Sequence, residues 1–522
     1  MPDRGIVLGH MDARDYARPF LICLAALTLF RLAALAFSQT ELFFDEAQYW
    51  FWSRELAFGY YSKPPLIAWI IRGATELCGQ GEACIRAPSA LIHAATATIV
   101  FATARQLYDA HTGFWSGLVY ATLPGVSLSS SLISTDVPLL FFVALSLLAV
   151  VKLQASAAWR WGVLLGIGIG FGLLAKYAMS YFILCLALYA IWTRDGRALL
   201  KDARLYVALA IAAALIAPNL LWNAQNGFAT LKHTADNANL RSSLFHPAEA
   251  LDFLTGQFGV FGPVLFAALV AYCVRVLTHS LRSHVGPLVL RIASILPNSG
   301  NSLRLDRCTN WLRSPRTRAE AGKPERLLLA FSVPVLLLMT TQALLSRAHA
   351  NWAAFAYIAG TVLVTAVLLR QDWRRVFRVS MAIHLAIVLL IGIGGLLAGR
   401  LVLPGGADPY ARLLGWKALA ETAADKARTG GFAAIATDKR ALAAELLYYL
   451  RDAAIPVVAL RDDGPPGDHF ELTRPLDAAT PRPVLLVSLN RNGPPASEAL
   501  GAADVPAGQG NPRKVFFYAL GH

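Results

Sequence analysis

Charged residues are scarce in this sequence. Asp, Glu, Lys and Arg make up 15% of its 522 residues, against roughly 25% in an average soluble domain. Hydrophobic residues reach 56% and the mean hydropathy is +0.49, which excludes an ordinary soluble enzyme and indicates a multi-pass membrane protein. The net charge of +14 comes from basic residues spread over short loops between apolar runs. That distribution follows the positive-inside rule, so we expect no nucleic-acid partner.

Metal-ligand motifs are also lacking. The six cysteines form no CxxC pair and no cluster with histidine, so the sequence predicts no metal site and no cofactor. A divalent metal stays compatible with His233, His246 and His349, although a lone loop histidine is more often a surface or hydrogen-bonding residue. Cys78 and Cys84 share one loop, and their spacing leaves open whether they are joined in a disulfide.

The sequence has no convincing nucleotide-binding loop and no internal repeat. The glycine run GIGIGFG at 166–172 imitates such a loop, but no strand precedes it. Small residues in an apolar helix permit close helix packing, which is the interpretation we favour. The lack of a repeat counts against a transporter built from inverted halves.

Apolar runs dominate residues 1–400. A membrane span needs about 20 apolar residues, and this region holds about eleven candidates. Arg14 and Arg18 precede the first span, which predicts a cytoplasmic N-terminus and a periplasmic first loop at 39–84. The basic segment at 279–326 then lies inside, and we predict a mostly disordered insertion attracted to anionic lipid head groups. These features predict a multi-pass membrane protein.

The last part of the chain, residues 401–522, has a different character. Helical and strand patterns alternate there, which predicts a small α/β domain with a mainly parallel sheet. The membrane topology places this domain in the periplasm. The segment around His469 and Glu471 is compatible with a contact to the acceptor, but we favour a solvated turn. The predicted fold class is therefore a polytopic α-helical membrane protein with a small C-terminal periplasmic α/β domain.

The segment FDEAQYWFWSRELAFGYYSKPPL, residues 44–66, follows the first span. It combines the adjacent carboxylates of Asp45 and Glu46 with many aromatic rings and with Lys63. Aromatic rings with polar tips suit the boundary between lipid and water, so we expect them to hold this loop against the bilayer surface. Paired acids and a lysine at that boundary indicate a site for a charged, lipid-borne molecule.

Other polar residues fall on the same side of the membrane. Asp136 begins the fourth predicted span, Arg86 begins the second, Lys176 lies between two close spans, and His349 lies in a short outer turn. An isolated charge at the bilayer centre costs roughly 2.5–3.5 kcal/mol, so each of these residues alone fits an anchor at the membrane edge. Their combination with the aromatic loop is better explained by one site.

Three motifs carry a family resemblance: DEAQYWFWSRELAFGYYSKPPLIAW, STDVPL and GLLAKY. They resemble the bacterial branch of the GT-C integral-membrane glycosyltransferases. These protein-mannosyltransferase-like enzymes include lipid A aminoarabinose transferases and rhizobial lipopolysaccharide galacturonosyltransferases. The resemblance covers residues 20–400 and implies the GT-C fold in a bacterial inner membrane, with the site on the periplasmic side.

The resemblance also implies roles for individual residues. Asp45 matches the catalytic carboxylate of the family, and Asp136 matches the acid of the second external loop. Lys63 matches a lysine that contacts the lipid-linked phosphate, and Lys176 matches a second basic residue near it. The aminoarabinose enzymes carry a basic residue where this chain has Gln48, and an acid at position 62, where this chain has serine. A metal site or acceptor preference tied to those two positions is therefore not implied here.

The chemistry supports the same assignment. A sugar on polyprenyl phosphate has a good leaving group, so its transfer needs cations for the departing phosphate and one carboxylate for the acceptor proton. Attack opposite the phosphate inverts the anomeric centre. The predicted site residues are catalytic Asp45, Glu46 and Asp136; phosphate-binding Lys63, Lys176 and Arg86; and substrate-binding Tyr60, Tyr61 and His349.

The expected partners are a polyprenyl-phosphate sugar donor, membrane lipids and an envelope acceptor such as lipid A, lipopolysaccharide core or another glycan. Three alternatives stay open from the sequence. The chain resembles protein O-mannosyltransferases as well, which use the same kind of donor. A flippase or transporter of lipid-linked sugars belongs to a different class, as does a non-catalytic envelope assembly protein. Transporters hold substrate charges near the bilayer midplane, whereas the charges here cluster at one face.

Overall fold

The structure is a computed structural model that describes residues 13–239, 244–295, 322–371, 373–404, 408–461, 464–495, 497–510 and 512–520. Within these ranges, seven helices are long and apolar enough to cross a membrane: Tyr16–Ala36, Glu82–Leu107, Asp136–Ala155, Ala203–Gln225, Pro263–Ser280, Lys323–Leu345 and Arg374–Leu396. Three shorter apolar helices accompany them: Arg160–Ala175, Tyr177–Trp192 and Ala356–Arg370. The multi-pass prediction is confirmed, and the number of about eleven spans stays a prediction.

The helices up to the end of the bundle have the following bounds. They are α1 Ala13–Ala36, α2 Phe44–Arg54, α3 Leu66–Cys78, α4 Glu82–Leu107, α5 Ala110–Thr122, α6 Pro124–Ser129, α7 Asp136–Ala155, α8 Arg160–Ala175 and α9 Ser180–Trp192. They continue with α10 Arg194–Leu199, α11 Ala203–Gln225, α12 Ala229–Ala238, α13 Pro247–Val260, α14 Pro263–Ile295, α15 Lys323–Ala330, α16 Val333–Leu345, α17 Ala356–Arg370 and α18 Arg374–Leu396.

The basic segment at 279–326 differs from its prediction in its first part. Helix α14 continues as far as Ile295, so residues 279–295 are helical and not part of a disordered insertion. Residues 296–321 lie outside the described residues. The segment ends in α15, where the chain returns to the bundle.

The glycine run in α8 packs against α11, as predicted. A Cβ atom added at Gly166 would lie 2.7 Å from the carbonyl oxygen of Ala208, and one added at Gly170 would lie 2.6 Å from a methyl carbon of Leu215. A Cβ at Gly162 would similarly crowd the backbone of Arg204. These glycines allow two membrane helices to approach more closely than any side chain would permit.

The C-terminal domain contains a five-stranded sheet. Its elements are α19 Trp416–Thr429, β1 Ala434–Thr437, α20 Arg440–Tyr449, β2 Val457–Ala459, α21 His469–Thr473, β3 Val484–Ser488, β4 Ser497–Val505 and β5 Arg513–Leu520. The strand order is β2-β1-β3-β5-β4. Strand β1 is parallel to β2 and β3, and Ile435 pairs with both Val457 and Leu485.

The other half of this sheet is antiparallel, so the expected mainly parallel sheet is in fact mixed. Strand β5 runs antiparallel to β3 and to β4. The sequence of β4, SEALGAADV, has a single β-branched residue and no aromatic one, and a register shift occurs between Ala499 and Gly501. Weak strand propensity and a mostly exposed position explain why its pattern predicts no strand.

The C-terminal domain sits directly on the aromatic segment that follows the first span. Trp50, Phe51 and Trp52 of α2 form one buried cluster with Tyr448 and Phe470 of the domain. The expectation that these rings rest against the bilayer surface is therefore wrong. The rings are buried because each supplies a large apolar area to the contact between bundle and domain. This contact fixes α2 between the two parts of the protein.

The turn between α3 and α4 is closed by a disulfide. Cys78 ends α3 and Cys84 lies in the first turn of α4, with 5.8 Å between their Cα atoms. The cysteine spacing left open whether Cys78 and Cys84 are joined, and the structure shows that they are. A short, cross-linked turn holds the two helix ends together below the C-terminal domain, where the hydroxyl of Tyr448 donates to the carbonyl of Gln80.

Candidate active site

A polar cavity of 600 Å³ lies between the helical bundle and the C-terminal domain. This volume falls within the range of about 300–1,000 Å³ that is usual for small-molecule sites. Its charged lining residues that the structure describes are Asp45, Lys63, Asp136, Lys176, Arg440, Asp468 and Glu471. The predicted acids and lysines from distant parts of the sequence therefore come together in one place.

Asp45 stands in the first turn of α2, whose amide groups favour a negative charge. Its carboxylate accepts a hydrogen bond from Arg440 of the C-terminal domain, with 2.8 Å between Oδ1 and Nη1. The same Nη1 atom donates to the side-chain oxygen of Gln48 at 2.7 Å. The side chains of Asp45 and Arg440 are 39% and 36% exposed, so this ion pair faces the cavity and is open to solvent.

A second ion pair lies across the cavity. Lys176 follows the end of α8 in extended conformation, and its Nζ lies 2.7 Å from Oδ1 of Asp136 at the start of α7. The other carboxylate oxygen, Oδ2, accepts from the side-chain amide of Asn351 at 2.9 Å. Asn351 was not among the predicted residues, although it lies two positions after His349 in the same turn. Lys176 and Asn351 therefore hold the two oxygens of the Asp136 carboxylate from two sides.

Lys63 is the unpaired cation of the site. Its ammonium has no hydrogen-bond or ion-pair partner within the described part of the chain. Burial is the main cause that lowers the pKa of Lys63 to about 8, and the charge of Lys176 acts in the same direction. Asp45 and Asp136 oppose that change. A half-buried, unpartnered cation is suited to bind an anion, since its charge is not already neutralised.

Two further cavities adjoin the polar one, each on a different side. A largely apolar cavity of 460 Å³ shares with it the wall residues Asp45, Tyr49, Ser134, Asp136 and Asn351. A smaller cavity of 290 Å³ shares Ser62, Lys63, Lys176, Asn237 and Trp352. Asp45 and Asp136 therefore border the apolar cavity, and Lys63 and Lys176 border the smaller cavity. This arrangement separates the acidic and the basic halves of the site.

Glu46 and Arg86 form a buried ion pair in place of the expected catalytic and phosphate contacts. Arg86 donates from Nε and Nη2 to the two oxygens of Glu46, at 2.9 and 2.6 Å. The remaining donors of Arg86 bind Thr40 and the carbonyl of Glu41. The side chains are 2% and 1% exposed. Glu46 borders the apolar cavity described above, but its oxygens and the donors of Arg86 are all engaged, so both residues support the fold of the outer loop.

The predicted substrate contacts divide in a similar way. Tyr61 and His349 line the polar cavity. Tyr60 is 2% exposed, stacks on Trp52 at 4.6 Å and donates to the carbonyl of Trp52. Its position supports a structural role in place of the expected substrate contact. The sequence does not distinguish the two adjacent tyrosines, because only the fold decides which ring is covered.

The C-terminal domain contributes Arg440, which the sequence analysis missed, and the segment around His469 and Glu471, for which it favoured a solvated turn. Arg440 follows β1, and the segment from Gly467 to Glu471 follows β2, so both lie beyond the carboxyl ends of parallel strands. Ligands of α/β domains bind at this edge of the sheet, a rule that could have drawn attention to the charged turn after β1. The interpretation of His469 in a solvated turn is wrong. It is 7% exposed and packs edge-on against Trp52 and Tyr60.

The histidines do not converge on one point. His233 and His349 both line the polar cavity, and His233 packs against the ring of Tyr61. Burial and the charge of Lys63 lower the pKa of His233. In the described ranges, no three His, Cys, Asp or Glu side chains are grouped so that they could hold a metal ion.

Comparison with known proteins identifies the class of this one. Residues 62–222 match the family described as dolichyl-phosphate-mannose-protein mannosyltransferase. The chain is 35% identical over 472 residues to the lipid A galacturonosyltransferase RgtD of Rhizobium johnstonii, covering 90% of this chain and 91% of that one. A likeness of this extent shows common ancestry along nearly the whole chain. The protein is therefore an integral-membrane glycosyltransferase.

Solved structures show the same fold. ArnT from Cupriavidus metallidurans in the apo state has a TM-score of 0.61 at 15% identity, covering 97% of this chain and 98% of that one. The same enzyme bound to undecaprenyl phosphate has a TM-score of 0.62 at 16% identity with equal coverage. This chain belongs to the bacterial protein-mannosyltransferase-like branch of the GT-C glycosyltransferases, and the resemblance of its motifs is confirmed. The transporter and assembly-protein alternatives are not favoured.

Proposed function

We propose that this enzyme transfers a sugar from a polyprenyl-phosphate donor to lipid A at the periplasmic face of the inner membrane. The relative from Rhizobium is named for the transfer of galacturonate to lipid A, and the ArnT structure holds undecaprenyl phosphate. The observation that carries the proposal lies in the chain itself. The basic side of the polar cavity opens to the 290 Å³ cavity, which we call the groove, and its acidic side opens to the apolar cavity of 460 Å³.

The donor phosphate binds on the basic side. Lys63 and Lys176 line both the polar cavity and the groove of 290 Å³. That groove continues past Tyr181 and Met339, which are suitable for a polyprenyl chain. With the phosphate between the lysines and the chain in the groove, the sugar occupies the polar cavity. Two cations then neutralise the charge that the phosphate gains as it leaves.

The acceptor approaches from the acidic side. The apolar cavity of 460 Å³ is lined by residues such as Leu128, Leu140 and Val260, which suit the acyl chains of lipid A. Asp45 and Asp136 stand where this cavity meets the polar one. Asp136 is held by Lys176 and Asn351, whereas Asp45 has one partner, Arg440, and an exposed side chain. Asp45 is therefore the better candidate for the base.

The reaction is a single displacement at the anomeric carbon. The acceptor hydroxyl oxygen forms a bond to that carbon while the bond from the carbon to the phosphate oxygen breaks. Asp45 takes the hydroxyl proton, and polyprenyl phosphate departs with the bonding electrons. Because the nucleophile enters opposite the phosphate, the anomeric configuration inverts. No general acid is required, since the leaving phosphate is already anionic and is held by lysines.

Two features support the periplasmic orientation. Arginines and lysines concentrate in the loops at the end of the bundle opposite to the cavity, for example Arg194, Arg197 and Lys201. The Cys78–Cys84 disulfide lies at the cavity end, and disulfides persist in oxidising compartments such as the periplasm. The C-terminal domain is then periplasmic as well.

The test is transfer by the purified, full-length enzyme in lipid nanodiscs. Polyprenyl-phosphate galacturonate serves as donor and lipid A as acceptor, and mass spectrometry detects the product. We expect the wild type to form glycosylated lipid A and Asp45→Asn to lose activity by roughly 100-fold or more, the usual contribution of a general base. Full activity of Asp45→Asn would exclude the role of Asp45. No product from the wild type would exclude this pair of substrates.

The chain offers a matched control at the other end of the same helix. Glu55 follows α2 and pairs with Arg474 of the C-terminal domain at 3.3 Å, as Asp45 pairs with Arg440. Glu55 is 66% exposed and lines none of the three cavities. Glu55→Gln removes a comparable contact between the domains without touching the site. We expect this variant to retain wild-type activity.

A further inference from the structure

Arg440 stands apart from the other cations of the polar cavity. Lys63 and Lys176 line the 290 Å³ cavity as well as the polar cavity, whereas Arg440 lines only the polar one of these two. If the donor phosphate follows its lipid chain into the groove, the two lysines are occupied by it. Among the described lysines and arginines that line the polar cavity, Arg440 then remains to contact the sugar.

The guanidinium of Arg440 is held in place but only partly used. Its Nη1 atom donates to both Asp45 and Gln48, and its plane lies over the ring of Phe44 at 4.9 Å. The other donors, Nε and Nη2, bind no group within the described residues. These two N–H groups form one edge of the planar guanidinium, and that edge matches the two oxygens of a carboxylate.

Gln48 makes this arrangement possible. It is 1% exposed, and its neutral amide oxygen accepts from Arg440. A basic residue at this position would repel the guanidinium and supply the cation from the membrane domain instead. In this chain the cation beside Asp45 therefore comes from the C-terminal domain, directly after β1.

We propose that Arg440 determines specificity for a uronic acid as the donor sugar. Its free Nε and Nη2 donors bind the sugar carboxylate while Nη1 keeps Asp45 in position. One guanidinium thereby sets the distance between the sugar ring and the base. This inference rests on the proposed function, because it assumes that the phosphate occupies the lysines. It assigns to the C-terminal domain the recognition of the sugar.

The experiment compares two donors that differ only at C6, which is a carboxylate in polyprenyl-phosphate galacturonate and a hydroxymethyl group in polyprenyl-phosphate galactose. Transfer to lipid A by the full-length enzyme in nanodiscs gives kcat/KM for each. We expect the wild type to prefer the uronate. Arg440→Gln should lower the ratio of the two kcat/KM values roughly 10- to 100-fold, the usual value of hydrogen bonds to a charged group. Arg440→Lys should restore only part of the ratio, since it keeps the charge without the planar edge.

Arg474 supplies the matched control for Arg440. It is a C-terminal-domain arginine that pairs with Glu55, the residue after α2, lies over the ring of Phe51 at 5.1 Å and is 40% exposed. It does not line the polar cavity. Arg474→Gln should leave the donor ratio unchanged. A fall in the ratio with this variant would mean that domain docking, and not the free edge of Arg440, determines specificity.

The outcomes separate the inference from the function on which it rests. If the wild type uses both donors equally, or the galactose donor better, the inference is wrong while glycosyl transfer stands. If Arg440→Gln lowers kcat/KM equally for both donors, Arg440 positions Asp45 without recognising the sugar, and the specificity role is again excluded. If the wild type transfers neither sugar, the proposed function fails.

Discussion

Replacing Arg86 by methionine should destabilise the protein without affecting donor binding by the molecules that fold. The substitution leaves the carboxylate of Glu46, which is 2% exposed, without its cation. Of the four hydrogen bonds to Glu46, two remain, from the backbone amides of Phe43 and Ile133. Breaking one side of a buried ion pair costs about 3–5 kcal/mol. The unfolding entropy is about 2.1 cal/mol/K per residue, so a chain of 522 residues shifts by about 1 °C per kcal/mol and the unfolding midpoint should fall by roughly 3–5 °C.

The assay is thermal unfolding in nanodiscs, followed by tryptophan fluorescence, together with the KM for the donor. The double variant Glu46→Gln/Arg86→Met should lose less stability than Arg86→Met alone, because no buried charge is left unpaired. The sequence-based expectation is the opposite, since it assigns Arg86 to the donor phosphate. An unchanged unfolding midpoint combined with a greatly raised KM would refute the structural role and restore the phosphate contact.

Two further predictions concern the site and the bundle. Because burial lowers the pKa of Lys63 to about 8, the lysine loses its charge above that pH. The KM for the donor should therefore rise about tenfold per pH unit from pH 8 to 10. Lys63→Arg should abolish this dependence, and a persistent rise would assign it to another group. Gly166→Leu should reduce the yield of monodisperse protein in size-exclusion chromatography, since its Cβ would meet a backbone oxygen at 2.7 Å. Gly73→Leu, where nothing lies within 4 Å, is the control, and an equal loss there would contradict the packing argument.

Hydrophobicity and charge were sufficient to predict the main architecture. Apolar runs predict membrane helices because a bilayer allows few other structures, and the C-terminal alternation predicts an α/β domain. Strand β4 was missed since its alanines and glycine carry no strand signal. The aromatic segment was misplaced because a buried protein contact and a lipid surface favour the same residues.

The residues of the candidate site were predictable where each lay in one of the three motifs. Asp45, Lys63, Asp136 and Lys176 lie together in the polar cavity, as the sequence suggested, and their roles stay proposals. Pairing was not predictable, because the sequence does not show which carboxylate meets which cation. Glu46 turned inward to Arg86, while the adjacent Asp45 met an arginine almost four hundred positions away.

The orientation of the C-terminal sheet has a consequence for how such enzymes diversify. Turns beyond the carboxyl ends of β1 and β2 form part of the cavity wall, while the strands behind them stay in the domain interior. Turns tolerate insertion and substitution better than membrane helices, which are constrained by lipid on one side and by packing on the other. New sugar preferences can therefore arise by exchange of these turns, with the transfer chemistry in the bundle left intact.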